Sequence, residues 1–212
     1  MQTFQEIRQQ IISNGLESDF YYKGDDAVYG GYNLEQNPDE LAEYIVALKE
    51  IFPHGIPEYL EIGVAACGLV RTMCEFVGIK HVVILDDGSW QYAKRRENLD
   101  EIERMTERLT ILALNSQSQD AKDRLRETYK NSYPNLVMID GDHTYNGVWG
   151  DINTVLSVAT NDTIIAMHDV VSAKDPGVDA AMAQAIVNKL LVLENIFVGD
   201  DNKLGIAMLG RA

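Results

Sequence analysis

Between residues 58 and 169 the chain repeats one pattern: a short apolar run, then a longer amphipathic stretch. The runs are EYLEIG, HVVILDD, RLTILAL, NLVMID and TIIAMHD, and none alternates apolar with polar residues in the manner of a half-exposed strand. Strands without that alternation are buried on both faces, which calls for a parallel sheet covered by helices on both sides. The intervening stretches read as those helices. Leu69, Val70, Met73, Phe76 and Val77 form a stripe that stops at Gly78. Residues 91–108 form a charged amphipathic helix, and Ser118 caps another that runs to about Lys130. A helix over 144–158 turns Tyr145, Val148, Ile152 and Val155 inward, and Asp175-Pro176 opens one running to about Leu191. Two last strands, ENIFVG and LGIAMLG, flank a GDDNKLG turn too short for a crossover, so they predict an antiparallel hairpin. The expected fold is α/β: a mostly parallel seven-stranded sheet with a C-terminal antiparallel hairpin and helices on both faces.

Residues 1–57 predict a helical N-terminal extension ahead of a domain over 58–212. Phe4, Ile7 and Ile11 recur at helical spacing, and Asn14-Gly15 ends that helix. Asn37 and Pro38 start a second helix, with Leu41, Tyr44, Ile45, Leu48 and Ile51 as its inward stripe. Between the two lies a segment with Phe20, Tyr21, Tyr22, Tyr29 and Tyr32. These rings either close over a substrate as a lid or cover the sheet edge or a subunit interface. Acidic residues outnumber basic ones by 33 to 18, for a net charge of −15. That balance repels phosphate backbones and anionic bilayers, so neither nucleic acid nor a membrane is expected as a partner. The N-terminal MQTFQEIRQQ has no signal-peptide core, and Cys67 and Cys74, two helical turns apart, are too distant for a disulfide. A cytoplasmic protein with free thiols is the expectation.

In parallel sheets of this kind ligands bind beyond the carboxyl ends of the strands. After the first strand stands Glu61-Ile62-Gly63-Val64-Ala65-Ala66-Cys67-Gly68. Its small residues allow a tight turn, while Glu61 repels a phosphate and holds an ammonium group. The turn lacks the G-x-G-x-x-G spacing of dinucleotide sites. After the second strand, Asp86 and Asp87 are placed to accept ribose hydroxyls, or serve as helix N-terminal charges. Ser116, in Asn115-Ser116-Gln117-Ser118, offers a polar group to an adenine edge. The fourth and fifth strands end in Asp140-Gly141-Asp142-His143 and His168-Asp169. Asp140, His168 and Asp169 offer two carboxylates and an imidazole, a donor set suited to Mg²⁺ or Mn²⁺.

Residues 58–210 resemble class I S-adenosylmethionine-dependent methyltransferases, whose fold is Rossmann-like. LEIGVAACG resembles their first motif. IDGDHTYNGVWGDI with IIAMHDV resembles the signature of one branch, that of the macrocin- and mycinamicin-type sugar O-methyltransferases and the cephalosporin hydroxylase proteins. The resemblance implies an O-methyltransferase of a small hydroxylated, sugar-like or natural-product-like acceptor. Glu61, Gly63 and Ala65 would then lie at the methionine end of S-adenosylmethionine, Asp86 or else Asp87 at the ribose, and Ser116 near the adenine. Asp140, His168 and Asp169 would hold the metal. His143 would be the general base, with Asp142 orienting it or competing for the role. Folds of this kind often pair into homo-oligomers. Three departures stand out: Cys67 occupies a place where relatives usually carry glycine, Leu69 one where a small hydroxyl residue is common, and TNDT replaces the usual Lys-Pro-Gly-Gly turn before the fifth strand. The rival readings are an NAD(P)-dependent oxidoreductase on a similar sheet and a protein that binds S-adenosylmethionine without turnover.

Overall fold

The computed structural model describes residues 2–14, 32–34, 36–89, 95–199 and 203–212. The chain opens with two helices, α1 (Phe4–Ser13) and α2 (Pro38–Ile51), each started by a capping box. In α2 the Asn37 side chain accepts a first-turn amide, and the Glu40 carboxylate accepts the Asn37 amide in return. From there strands and helices alternate: β1 (Ile56–Ile62), α3 (Gly68–Phe76), β2 (Ile79–Leu85), α4 (Arg95–Met105), β3 (Arg108–Leu112), α5 (Gln119–Thr128), β4 (Leu136–Ile139), α6 (Tyr145–Leu156), β5 (Ile164–Met167), α7 (Pro176–Val187), β6 (Leu191–Phe197) and β7 (Ile206–Arg211). The strand order in the seven-stranded sheet is β3-β2-β1-β4-β5-β7-β6. Neighbours from β3 to β5 are parallel, and β7 runs antiparallel to both β5 and β6. This is the α/β arrangement expected from the apolar runs, and the Rossmann-like one that the resemblance implies.

Alternate strand residues feed two cores. Tyr59, Val82, Ile84, Leu136 and Met138 pack with α1, α2 and α3, where Ile7, Ile11, Tyr44, Leu48, Val70 and Met73 are buried. Leu60, Ile62, Val83, Val137 and Ile165 pack on the other face, with α5, α6 and α7. Both faces are therefore covered, as strands without polar alternation require.

Element ends differ from the sequence reading in places, each for a physical reason. α5 stops at Thr128, short of Lys130, with Tyr129 as its C-cap. α7 stops at Val187, and the chain turns through Lys189 at φ +56. Leu191 is thereby freed to begin β6, where it pairs with Arg211, so the last hairpin starts three residues earlier than ENIFVG suggests. Ile111 and Val192 are 49 % and 51 % exposed because β3 and β6 are the two edges of the sheet, with a neighbour on one side only. Cys67 and Cys74 are free and buried.

The chain winds outward from β1 to β3 on one side and from β4 to β5 on the other, so the order reverses between β1 and β4. A crevice at such a reversal is where open α/β sheets bind ligands. Here the two loops touch. Gly63 sits at φ +77, and a β-carbon on it would overlap the Asp140 carbonyl. Glycine is thus required twice over, by the backbone angle and by the approach of the β4 loop. Gly63→Ala should lower the unfolding free energy by about 1–3 kcal/mol in urea titrations, from strain at that φ and displacement of the β4 end.

Candidate active site

The ends of β4 and β5 bring four of the sequence-predicted residues together. His143 Nε2 lies 3.4 Å from Asp140 Oδ1, while its Nδ1 lies 3.5 Å from Asp169 Oδ2 and 3.4 Å from Asp175 Oδ1. His168 Nδ1 lies 3.4 Å from Asp140 Oδ1 and 3.5 Å from Asp169 Oδ2. Two carboxylates are flanked by two imidazoles. Asp140, His143 and Asp169 each offer a ligand atom within 4.8 Å of one another, a spacing a single ion can bridge. Asp169 Oδ1 is buried and has no hydrogen-bond partner among the described residues. An orphaned carboxylate oxygen in a mixed oxygen and nitrogen donor set fits a divalent cation.

The charges in this cluster regulate one another. Burial alone would raise Asp140, but the His168 charge and the hydrogen bonds from both imidazoles outweigh it and hold the carboxyl below its ordinary range. Burial pushes Asp169 up to about 6, with the His168 charge opposing and Asp140 adding. The contact with Asp140 lifts His143 to about 9 against burial, and the charges of Asp140, Asp169 and Asp175 add to it. Burial would lower His168, yet Asp140 and Glu40 keep it well above its usual value. Low dielectric around these groups makes each pairing count.

Asp142 behaves differently. It is exposed, its Oδ1 accepts the Thr144 amide at 2.9 Å, and its side chain covers Gly147 in the first turn of α6. It is tied to a turn, whereas His143 faces the carboxylates.

The residues expected around a cofactor line the turn after β1 and its neighbours. Glu61 is 1 % exposed, and the Tyr59 hydroxyl donates to it. Burial pushes its carboxyl up to about 8, the Tyr59 bond opposing and the charges of Asp140 and Asp86 adding. Ala65 and Cys67 both sit at positive φ, +43 and +62. The left-handed conformation at Cys67 explains why glycine suits that place. Asp86 holds the turn: Oδ2 accepts the Val64 amide at 3.1 Å, and Oδ1 accepts the Gly88 amide and Arg95 Nη2 at 2.9 and 2.8 Å. Asp87 is exposed and takes the Ser89 amide. Ser116 Oγ donates to Asp151 Oδ1 at 2.5 Å, joining the β3 loop to α6. Of the aromatic segment, Phe20, Tyr21, Tyr22 and Tyr29 lie outside the described residues. Tyr32 packs on α3, its hydroxyl donating to Glu75 at 2.8 Å under the Arg71 guanidinium.

Sequence reasoning missed Gln36, Glu40, Asp151 and Asp175. Gln36 Nε2 donates to Asp140 Oδ2 at 3.2 Å, and Glu40 Oε1 lies 3.0 Å from His168 Nε2. Asp175, steadied by the Ser172 hydroxyl at 2.8 Å, backs His143. The readable signals were helix starts: Asn37-Pro38-Asp39-Glu40 and Asp175-Pro176 look like caps, and nothing in their spacing says what else they face.

Glu61 gives the site a stability signature. Its folded pKa lies above the ordinary carboxyl value, so the folded state keeps a proton that the unfolded chain releases. Stability is then full below the ordinary carboxyl range and falls as pH rises toward about 8. In urea titrations at pH 5 and pH 8, Glu61→Gln should flatten that fall and exceed the parent at pH 8 by more than about 1 kcal/mol.

Residues 60–170 match the family described as "Methyltransferase domain". No sequence among curated proteins matches the chain. Solved structures do. The O-methyltransferase from Bacillus cereus in complex with SAH superposes with a TM-score of 0.62 at 16% identity, covering 99% of this chain and 90% of that one. CalS11, a TDP-rhamnose 3'-O-methyltransferase of calicheamicin biosynthesis, gives 0.61 at 13% identity over 96% and 91%. The N-methyltransferase NodS from Bradyrhizobium japonicum, in complex with S-adenosylhomocysteine, gives 0.57 at 12% over 97% and 98%. At such identities the likeness shows the fold and leaves the acceptor atom open. No helix among the described residues is long and apolar enough to cross a membrane.

Proposed function

The chain belongs to the methyltransferase-domain family, and on that footing we propose that it transfers a methyl group from S-adenosylmethionine to a hydroxyl oxygen of a small, sugar-like or natural-product-like acceptor. The observation that carries this reading is the cluster of Asp140, His143, His168 and Asp169 at the ends of β4 and β5. It stands beside the Gly63 turn, at the reversal of strand order. The cofactor supplies an electrophilic methyl on a sulfonium and needs no activation by the protein. What remains for the chain is to bind, align and deprotonate.

The turn over 63–68 is the seat for the methionine end, with Glu61 beneath it. An ammonium group there would favour the ionised carboxylate. Near pH 7, below the value of about 8 that burial gives Glu61, binding of S-adenosylhomocysteine should therefore release a proton. Calorimetry in buffers of different ionisation enthalpy would read it, and Glu61→Gln should lose the buffer dependence. Asp86 already spends one oxygen on Gly88 and Arg95, so a ribose hydroxyl would be met by the remaining acceptor direction of Oδ2. Ser116 is the group offered to the adenine.

We assign Asp140, Asp169 and His168 to a divalent cation, Mg²⁺ or Mn²⁺, and the proton transfer to His143. The two imidazoles differ in access. The His168 side chain is 3 % exposed, whereas that of His143 is 32 % exposed and open to an incoming acceptor. A cation held by these carboxylates would supply the positive charge that lowers a hydroxyl pKa. A cation among the carboxylates would take over the charge that now keeps His143 protonated, so the neutral ring could accept the hydroxyl proton, with Asp175 and Asp169 stabilising the imidazolium.

Titration of S-adenosylhomocysteine into metal-stripped protein, with Mg²⁺ and with NAD as separate arms, tests the cofactor class. Binding of S-adenosylhomocysteine is expected, and heat with NAD alone would overturn the reading in favour of an oxidoreductase. With an acceptor found by mass-spectrometric screening, His143→Asn should lower kcat by roughly 10²–10⁴ while cofactor affinity holds. Asp140→Asn should abolish the dependence of turnover on added Mg²⁺, and a retained dependence would show the ligand assignment wrong.

A further inference from the structure

Glu40 belongs to the N-terminal helix α2, outside the stretch that matches the family, yet it reaches the cluster. Its Oε1 accepts the Asn37 amide at 2.9 Å and lies 3.0 Å from His168 Nε2. The Glu40 side chain is 0 % and the His168 side chain 3 % exposed, so water does not compete for this contact. A carboxylate oxygen only accepts, so Nε2 must carry the proton. When the ring ligates a cation it holds one proton only, and the Glu40 contact keeps that proton on Nε2 and leaves the lone pair on Nδ1. That atom faces Asp140 Oδ1 and Asp169 Oδ2 at 3.4 and 3.5 Å. Two carboxylates aimed at that atom need a positive charge between them, which a proton on Nδ1 supplies in the metal-free ring and a bound cation would supply in its place. Gln36, also buried, donates to the far oxygen of Asp140 and fixes that carboxylate from the same N-terminal stretch.

We propose that Glu40 is a positioning residue of the methyl-transfer site: it accepts the hydrogen bond of His168 Nε2–H and so points Nδ1 into the gap between Asp140 and Asp169. The inference rests on the reading of that cluster as a cation site. The arrangement has the form of a carboxylate behind a ligating histidine, which fixes tautomer and ring orientation and raises basicity. It also gives residues 36–40 a share in the site's chemistry that a mere cover would not have.

Three measurements on wild type, Glu40→Gln and Glu40→Ala test it: long-range ¹H–¹⁵N correlations of the histidine rings, Mn²⁺ titration by electron paramagnetic resonance, and S-adenosylhomocysteine calorimetry. Wild-type His168 should be the Nε2–H tautomer with Mg²⁺ present. Glu40→Ala should mix the tautomers and weaken Mn²⁺ by roughly 10–100-fold, with cofactor affinity unchanged. Glu40→Gln still offers a carbonyl oxygen to Nε2–H and should stay near wild type. Should Glu40→Ala fail to fold, Glu40→Asp replaces it, since it withdraws the carboxylate by one methylene. An Nδ1–H tautomer in wild type overturns the proposal, as does unchanged Mn²⁺ affinity in the alanine variant. So does a glutamine variant as weak as the alanine one with its tautomer intact, because Glu40 would then be a ligand itself. If wild type takes up no Mn²⁺, the cation reading fails by itself. The tautomer of the neutral ring in metal-free protein then decides for or against Glu40. If wild type takes up no S-adenosylhomocysteine, the methyltransferase reading fails and the tautomer result stands.

Discussion

Charge compensation inside a buried cluster governs this molecule. Asp140, Asp169 and Glu40 would each be costly to bury alone, and His168 and His143 are what make their burial tolerable. The compensation is collective. His168 touches three carboxylates, and Asp140 touches both imidazoles and Gln36. Removing one member leaves another charge unpaired in a low-dielectric site, so the loops that carry them must keep their places together. The sheet provides the rigid base for this, because β4 and β5 are neighbours whose ends lie side by side.

The backbone around the cluster is built to let loops approach closely. Gly63 admits the Asp140 carbonyl, and Gly177 at the start of α7 admits the backbone of residues 143–145, so the β5–α7 loop can bring Asp175 to His143. Gly68 does the same for the N-terminal stretch, whose Tyr32 and Asn33 carbonyls would meet a β-carbon there. Asn98, fully buried, donates to the carbonyls of Tyr32 and Ala66 and ties that stretch to the turn after β1. Segments far apart in sequence thus converge on one crevice through contacts that tolerate no side chain.

Much of the fold was legible because its signals are local and repetitive. The apolar runs located every strand from β1 to β5, and Asn37, Ser118 and Gly78 marked helix ends where helices do start or stop. Strand ends pointed to the site, since Asp140, His143, His168 and Asp169 each follow a strand and meet in space. Edges were less legible. The exposure of Ile111 and the early start of β6 at Leu191 depend on which strand lies outermost, a property of the assembled sheet.

What the sequence determined by itself was the kind of architecture and which polar residues stand at the strand ends, because periodicity and residue type act over a few neighbouring positions. What only the tertiary structure decided was partnership. Asp142 and His143 are adjacent in sequence and were both candidates for the base, yet one accepts a turn amide and the other faces the carboxylates. Glu40 reads as a capping residue and also grips His168 across 128 positions of chain. Such contacts are fixed by how helices dock on a sheet, and docking depends on shape and burial summed over both cores, which no local spacing encodes.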